Sequence, residues 1–349
     1  MKKIVLTGGG TAGHVNPHFA LLPHLQKNGW DVHYIGSHDG IERQLVGEQI
    51  PYYPISAGKL RRYFDLKNFS DPFRVLKGLV DSLKILRKIK PQVVFSKGGF
   101  VTVPVVMAAW LLKIPVILHE SDLTPGLANR LSLPFAKEIC LTFPETLDYV
   151  KEKGIVTGTP IRAEILRGSK EKGAELCGFN PLVRTILVMG GSQGSAVLNK
   201  VIRENLELLT KDYQIVHLCG QGNLDKGIKN VRYSQFEYVR DELADIFALA
   251  DVILSRAGAN AIFEFLALSK PNILVPLSEK ASRGDQIMNA KSFAKQGFSL
   301  VITEEDFSID TLLDSLNTLK NEGKKYIESM KNSQITDGTE NVLAIIEKN

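Results

Sequence analysis

Cysteine is scarce in this chain of 349 residues, and no pair of cysteines has the spacing of a metal-binding motif. The three cysteines are Cys140, Cys177 and Cys219, and no Cys-x-x-Cys occurs. A zinc site needs closely spaced ligand pairs, and a disulfide-bonded secreted domain needs a dense, even set of cysteines. The sequence therefore argues against both and favours a reducing compartment.

A continuous apolar run that could cross a membrane is also lacking. The stretch that comes nearest, residues 101–118, contains Pro104, Lys113 and Pro115, whereas a spanning helix needs about 20 mostly apolar residues. Because proline is tolerated at a helix start but ends a helix elsewhere, we predict a helix from Pro104 to Lys113, followed by a buried strand at 116–118.

Low-complexity segments and short repeats are missing, and charge of neither sign is in large excess. The chain is 44% apolar and 23% charged, as in ordinary globular proteins, and its net charge is +5. That modest excess suits an anionic ligand, an acidic membrane surface or simply a basic globular protein. The length is comfortable for two domains.

Short apolar runs recur along the whole chain and alternate with amphipathic stretches. Continuous Val/Ile/Leu runs are typical of parallel strands that are buried on both faces. The predicted strands form two series, at residues 4–6, 32–35, 93–95, 116–118 and 138–141, and then at 186–189, 215–218, 252–254, 273–275 and 299–302. We therefore predict an α/β protein with two doubly wound parallel sheets, the domains covering 1–160 and 161–335.

Two glycine-rich turns each stand between a predicted strand and a predicted helix. They are GGGTAGH at residues 8–14 and GGSQGS at residues 190–195. Such turns bring backbone N–H groups close to an anion, so two of them favour two nucleotide-binding folds that face each other across a cleft. The first also matches a dinucleotide fingerprint. No acid ends the next strand to hold a ribose, however, and this weakens the dinucleotide interpretation.

Candidate acid–base groups follow strands of the first series. His14 comes after the first glycine turn, and Glu120 and Asp122 come after the strand at 116–118. The carboxyl ends of parallel strands lie at one edge of a sheet, where ligands bind. His14 is a general base, a donor to phosphate, a helix-capping residue or simply an exposed histidine. Each carboxylate is either an acid–base group or a helix cap.

Polar groups follow strands of the second series as well. Arg256 and the helix that starts just after it are suited to a diphosphate. Glu264 on that helix is suited to a ribose diol, and Asp285 and Gln286 are suited to sugar hydroxyls. Arg162, near the domain boundary, is suited to clamping an anion. For each side chain, simple exposure to solvent is the alternative.

A basic amphipathic segment lies between the second and third predicted strands. Apolar residues recur there at helical spacing, among them Phe73, Leu76, Leu79 and Leu83, and lysines and arginines accompany them. Such a helix either lies on an anionic membrane or packs its apolar face on its own sheet.

The ordered set of motifs resembles the MurG family of peptidoglycan N-acetylglucosaminyltransferases, part of glycosyltransferase family 28. The motifs are GGTAGH at 9–14, KGGF at 97–100, HE at 119–120, GTPIR at 158–162, GGSQG at 190–194 and RAGA at 256–259 followed by Glu264. The resemblance implies the GT-B fold and an inverting transferase without a metal or cofactor. Its reaction would move GlcNAc from UDP-GlcNAc to the C4 hydroxyl of MurNAc in lipid I (undecaprenyl-diphospho-MurNAc-pentapeptide), giving lipid II and UDP.

The resemblance also implies where the partners lie. The N-terminal domain would meet lipid I at the cytoplasmic face of the bacterial cell membrane as a peripheral protein, and the C-terminal domain would hold UDP-GlcNAc. The last helix, about 336–349, would pack back on the N-terminal domain. No nucleic-acid partner is expected. The residues implied to contact the donor are Thr11, Ala12, Gly13, Asp122, Arg162, Ser192, Arg240 (through its backbone, to uracil), Arg256, Ala259, Asn260, Glu264, Asp285 and Gln286.

Three residues are implied for catalysis and six for membrane contact. His14 is the favoured base, with Glu120 and Asp122 as the other candidates. The membrane patch would consist of Phe73, Leu76, Leu79, Leu83, Trp110 and Lys113. Two positions depart from the family pattern, which often has Gly at Ala12 and Asn at Asp122. The alternative functions are a UDP-GlcNAc 2-epimerase of the same architecture and a sugar-nucleotide-binding module without catalysis.

Overall fold

Two parallel sheets, each in its own unit, organise the chain. The computed structural model describes residues 2–58, 71–191, 193–279, 284–335 and 337–349. Unit 1 contains the chain up to Arg162 together with Asp337–Asn349, and unit 2 begins at Ala163 and takes the segment between. The predicted α/β class with two doubly wound parallel sheets is confirmed.

In the described part of unit 1, seven parallel strands pair in the order β3-β2-β1-β4-β5-β6-β7. They are β1 (Lys2–Thr7), β2 (Trp30–Ser37), β3 (Tyr52–Ile55), β4 (Val93–Ser96), β5 (Val116–Glu120), β6 (Glu138–Leu141) and β7 (Gly154–Val156). The helices are α1 (Asn16–Lys27), α2 (Ile41–Val46), α3 (Asp71–Ile89), α4 (Thr102–Leu111), α5 (Leu127–Ser132), α6 (Leu147–Val150) and, from the end of the chain, α14 (Thr339–Lys348).

In the described part of unit 2, six parallel strands pair in the order β10-β9-β8-β11-β12-β13. They are β8 (Thr185–Met189), β9 (Gln214–Leu218), β10 (Tyr233–Phe236), β11 (Val252–Ser255), β12 (Asn272–Leu274) and β13 (Leu300–Val301). The helices are α7 (Lys170–Cys177), α8 (Ala196–Glu204), α9 (Leu206–Leu209), α10 (Leu243–Leu249), α11 (Ala259–Ala267), α12 (Asp285–Lys295) and α13 (Ile309–Lys331).

Three strands that the sequence did not predict lie at sheet edges. β3 and β7 close the two edges of the first sheet, and β10 lies at an edge of the second. β3 contains Pro54 and β7 begins at Gly154, residues that normally argue against a strand. Edge strands need only one partner and one buried face, so their apolar pattern is weak.

The apolar stretch at 101–118 forms a helix and a strand, as predicted. α4 covers most of the predicted helix, and β5 follows it. Among the described helices, none is both long and apolar enough to cross a bilayer.

The last helix belongs to the core of unit 1. Val342 and Ile346 of α14 are fully buried and pack in one cluster with Leu21 and Leu25 of α1. The segment is also tied by its backbone, since Gly338 N donates to Thr159 O at 2.9 Å. Burial of apolar surface and this hydrogen bond therefore both hold the end of the chain in this unit.

We expect Ile346→Ala to destabilise unit 1 by about 2–5 kcal/mol, because it leaves a cavity in a core that cannot fully collapse. Both tryptophans of the chain, Trp30 and Trp110, lie in unit 1. Guanidinium unfolding followed by tryptophan fluorescence therefore reports on this unit. Lys348→Ala, on the exposed face of the same helix, is the matched control and should leave the midpoint nearly unchanged. Equal midpoints for the two variants would contradict a core role for α14.

Candidate active site

The glycine turn at residues 8–14 meets the glycine-containing turn at residues 97–100 at the carboxyl edge of the first sheet. β1 and β4 are paired up to Thr7 and Ser96, so the turns that follow them start side by side. Gly9 N donates to Gly98 O at 3.2 Å. A Cβ atom on Gly99 would lie 2.2 Å from Gly9 O, and Gly99 has a φ of +93°. Glycine is therefore required there both for its backbone conformation and for the close approach.

His14 is held by the first turn with a defined tautomer. Its Nδ1 lies 2.8 Å from the carbonyl oxygen of Gly9 and 3.3 Å from Thr11 Oγ1. A carbonyl oxygen can only accept, so the proton is on Nδ1. Nε2 is then the ring nitrogen with the lone pair, which is the state that a general base requires.

Ala12 and Gly13 form a single 3₁₀ turn with His14. The conformation that glycine favours is adopted by Gly10, with a φ of +84°, and not by Ala12. The methyl group of Ala12 is therefore accommodated without backbone strain, and its departure from the family pattern leaves the turn intact.

Glu42 is an acid near this turn that sequence reasoning missed. It lies on α2, is 1% exposed, and accepts hydrogen bonds from Gly10 N at 3.1 Å, from Ser37 N at 3.0 Å and from Ser37 Oγ at 2.5 Å. An amide of the first turn thus already has an anionic partner from the protein. No local pattern signals this, because Glu42 lies in the first turn of a helix where acids are common.

Glu120 organises the loop after β5. The residue is 5% exposed, and its carboxylate accepts from Asp122 N at 3.0 Å, from Gly126 N at 2.9 Å and from Asn129 Nδ2 at 2.9 Å. Burial, and then the nearby Asp122 charge, raise its pKa to about 7, although the three donors oppose the rise. Asp122 itself is half-buried on the loop that Glu120 holds.

A buried lysine lies beneath the same edge. Lys97, in the turn after β4, donates from Nζ to His119 Nδ1 at 2.8 Å and to Ser121 Oγ at 2.7 Å. His119 in turn donates from Nε2 to Gly158 O at 3.1 Å. Burial lowers the pKa of Lys97 to about 7, and burial together with Lys97 lowers the pKa of His119. Both motifs were singled out in the sequence, but their contact was not foreseen.

Arg256 connects strand ends within the second sheet. The residue is 8% exposed, and its guanidinium donates from Nη1 to Val275 O at 3.1 Å and to Pro276 O at 3.4 Å and forms an ion pair with Glu304. The side chain that was expected to meet a diphosphate is thus also a structural link at the carboxyl ends of β12 and β13. Glu304 is a second residue that the sequence analysis did not identify.

The remaining residues of unit 2 that were predicted to contact UDP-GlcNAc lie on α11 and at the start of α12. This helix begins at Ala259, directly followed by Asn260, and Glu264 lies just over one turn further along it. Gln286 accepts through Oε1 from Ala257 N at 3.3 Å and from Leu277 N at 3.1 Å, so it joins the two loops that follow β11 and β12. Asp285 begins α12.

Three other predicted residues belong to other segments of the chain. Arg240 is exposed, with its guanidinium 5.8 Å from the ring centre of Tyr238. Arg162 is the last residue of unit 1 before the chain enters unit 2. Ser192 lies outside the described residues.

The amphipathic helix α3 divides its apolar residues between the core and the surface. Leu79 and Leu83 are partly buried against the core of unit 1, so this part of the helix packs on its own sheet. Phe73, Leu76 and Val80 are 75%, 59% and 44% exposed. Trp110 and Leu111 at the end of α4 are 52% and 53% exposed, and Lys113 beside them is exposed.

Known proteins match this chain over nearly its full length. The N-terminal domain model of glycosyltransferase family 28 matches residues 4–141, and the C-terminal domain model matches residues 185–343. A protein of Clostridium tetani is 57% identical over 99% of this chain and 98% of its own length, and one of Clostridium botulinum is 58% identical over the same shares. Both are named UDP-N-acetylglucosamine–N-acetylmuramyl-(pentapeptide) pyrophosphoryl-undecaprenol N-acetylglucosamine transferase.

Solved structures agree on the architecture. The crystal structure of MurG from Acinetobacter baumannii matches with a TM-score of 0.78 at 25% identity, covering both chains completely. The UDP-GlcNAc 2-epimerase of Neisseria meningitidis matches with a TM-score of 0.69 at 15% identity, again over both full chains. The epimerase likeness concerns the fold alone. Since the sequence relatives are more than half identical over nearly their full length, this chain belongs to glycosyltransferase family 28 and, within it, to the MurG family of N-acetylglucosamine transferases.

Proposed function

We propose that this chain transfers GlcNAc from UDP-GlcNAc to the C4 hydroxyl of MurNAc in lipid I and releases lipid II and UDP. The observation that carries the proposal is the full-length match to relatives named for this transfer. The defined tautomer of His14 at the carboxyl edge of the first sheet supports it, because the transfer needs a base for the acceptor hydroxyl.

The proposed reaction is a single displacement. Nε2 of His14 takes the proton of the C4 hydroxyl as its oxygen attacks the anomeric carbon. The bond from that carbon to the diphosphate oxygen breaks, and UDP leaves with the electron pair, so the new linkage is β. Attack and departure on opposite faces of the sugar give inversion.

We assign the donor to unit 2. The N–H groups at the start of α11 and in the glycine turn at residues 190–195 would meet the negative charge that grows on the diphosphate as the sugar leaves. Glu264 would accept from the ribose diol, and Asp285 and Gln286 would contact the GlcNAc hydroxyls. Arg256 would contribute positive charge from the position in which Glu304 and two carbonyl groups hold it.

We assign membrane contact to the exposed apolar group formed by Phe73, Leu76, Val80, Trp110 and Leu111. Three exposed lysines accompany them: Lys77 and Lys84 lie on α3, and Lys113 follows the end of α4. Apolar side chains that enter the lipid boundary and cations that meet anionic headgroups together bind a peripheral protein reversibly. The cytoplasmic face is the proposed location, because UDP-GlcNAc is a cytoplasmic nucleotide sugar.

We expect His14→Ala to lower kcat by about 10²–10⁴-fold, the usual contribution of a positioned general base. The assay follows formation of the disaccharide product from UDP-GlcNAc and a lipid I analogue in the presence of EDTA. His24→Ala, in the last turn of α1, is the control. Wild-type protein that binds UDP-GlcNAc but forms no disaccharide would overturn the proposed function, and formation of UDP-ManNAc without acceptor would indicate an epimerase.

We expect Glu264→Gln to raise KM for UDP-GlcNAc about tenfold or more and to leave KM for the lipid I analogue within about twofold, because the loss is of charge-assisted bonds to the donor alone. Glu207→Gln, an exposed acid of unit 2, is the charge-matched control. Equal effects on the two KM values, or no effect on either, would rule out the assignment of Glu264 to the ribose.

We expect the double variant Phe73→Ser and Leu76→Ser to weaken binding to vesicles that contain anionic lipid by about tenfold or more, because two exposed apolar side chains are lost from the contact. Leu182→Ser is the control, since Leu182 is 91% exposed but lies in unit 2. Vesicle sedimentation measures binding, and turnover of a water-soluble acceptor checks that the variant is folded. Unchanged sedimentation of the double variant would exclude this surface.

A further inference from the structure

One peptide group in the first glycine turn has a carboxylate at one end and a histidine at the other. The amide nitrogen of Gly10 donates to Glu42 Oε2 at 3.1 Å. The carbonyl oxygen of Gly9, which belongs to the same peptide group, accepts from His14 Nδ1 at 2.8 Å. Glu42 and His14 are therefore joined through two hydrogen bonds and one conjugated peptide unit.

The Glu42 carboxylate, at one end of this series of contacts, is buried and held through both of its oxygens. Glu42 is 1% exposed, and its other oxygen is engaged by the N–H and hydroxyl groups of Ser37 at the end of β2. A Cβ atom on Gly9 would lie 2.7 Å from the Glu42 carboxyl group. The turn can approach Glu42 so closely because residue 9 is a glycine and has no side chain.

We propose that Glu42 is a positioning residue for His14, acting through the Gly9–Gly10 peptide to hold the imidazole in its Nδ1–H tautomer and to strengthen Nε2 as a base. The proposal rests on the proposed function, in which His14 accepts the acceptor proton. A donor N–H that faces an anion pushes electron density toward the carbonyl oxygen of its own peptide. That oxygen then accepts more strongly from Nδ1, and it stabilises the ring further once Nε2 has taken a proton.

In the Ser-His-Asp triad a carboxylate orients the catalytic histidine by direct contact. Here the Gly9–Gly10 peptide lies between the carboxylate and the histidine. The other groups that face this pair do not replace the acid. Thr11 Oγ1 is 3.3 Å from Nδ1 and carries no charge. His18, on α1, is buried, and burial keeps its pKa well below the usual value, so it is neutral. Tyr34 donates to Gly8 O at 2.8 Å, one peptide away, and burial and the charge of Glu42 raise the pKa of both Tyr34 and Tyr52, so that neither is ionised. Arg43, beside Glu42 on α2, donates to His38 O at 2.9 Å.

The test compares Glu42→Gln, which keeps the size of the side chain but removes its charge, with Glu48→Gln, an exposed acid beyond the end of α2. We expect Glu42→Gln to lower kcat about tenfold, as is usual when an outer carboxylate that orients a histidine is lost, and to change KM for UDP-GlcNAc by less than about twofold. The acid limb of the plot of kcat/KM against pH should also move by about 0.5 pH unit to lower pH, because Nε2 becomes a weaker base. Glu48→Gln should match the wild type.

A second measurement needs no substrate and so separates this inference from the proposed function. Nitrogen-15 spectra of the histidine ring, assigned by comparison with His14→Ala, should show Nδ1 protonated in the wild type and a mixed tautomer in Glu42→Gln. A wild-type ring protonated at Nε2 would overturn the inference even if Glu42→Gln did not fold. A lower kcat with an unmoved acid limb and an unchanged tautomer would show that Glu42 only supports the fold of the turn, and would also overturn it.

Discussion

In unit 1 the backbone of Gly99 passes so close to Gly9 that a single methyl group would not fit between them. The position of His14 depends on this contact, because the Gly9 carbonyl that holds its ring belongs to the turn that Gly99 supports. A similar contact occurs in unit 2, where a Cβ atom on Gly194 would lie 2.0 Å from Cys219 O. In both sheets, glycine allows two loops to meet at the carboxyl edge where ligands bind.

Charged groups buried beneath the edge of the first sheet stabilise the loops above them. Lys97 and Glu120 each lie in a setting that disfavours their charge, and the Coulomb effect of Glu120 on Lys97 opposes that penalty. Hydrogen bonds to His119 and Ser121 on one side, and from Asn129 and two backbone amides on the other, satisfy both groups. A buried charge is costly unless it is satisfied in this way, so the network favours one arrangement of the loops after β4 and β5.

Local pattern identified the interior strands well but missed three of the four edge strands of the described sheets. Strands such as β1 and β8 are buried on both faces and therefore consist of uninterrupted apolar residues. β3, β7 and β10 have only one neighbour each, and their composition carries little signal. The glycine turns were recognisable because their residue type is required by conformation. His14 could be selected by its place after such a turn, and Arg256 by its place directly after a buried strand.

The sequence showed which residues were suited to act as a base or to bind an anion, but it did not show which residues they contact. His14 was a candidate base from its place after a glycine turn, yet its tautomer depends on a carbonyl and an acid, Glu42, that comes 28 positions later. Arg256 was a candidate anion ligand, yet Glu304 reaches it from the loop after β13. The burial of Ile346 in one cluster with Leu21 also joins the two ends of the chain, which the resemblance implied but no local pattern showed. Spacing along a chain encodes helices, strands and turns because those contacts are local, whereas the partners of buried charges come from distant segments that only the packing of the sheet brings together.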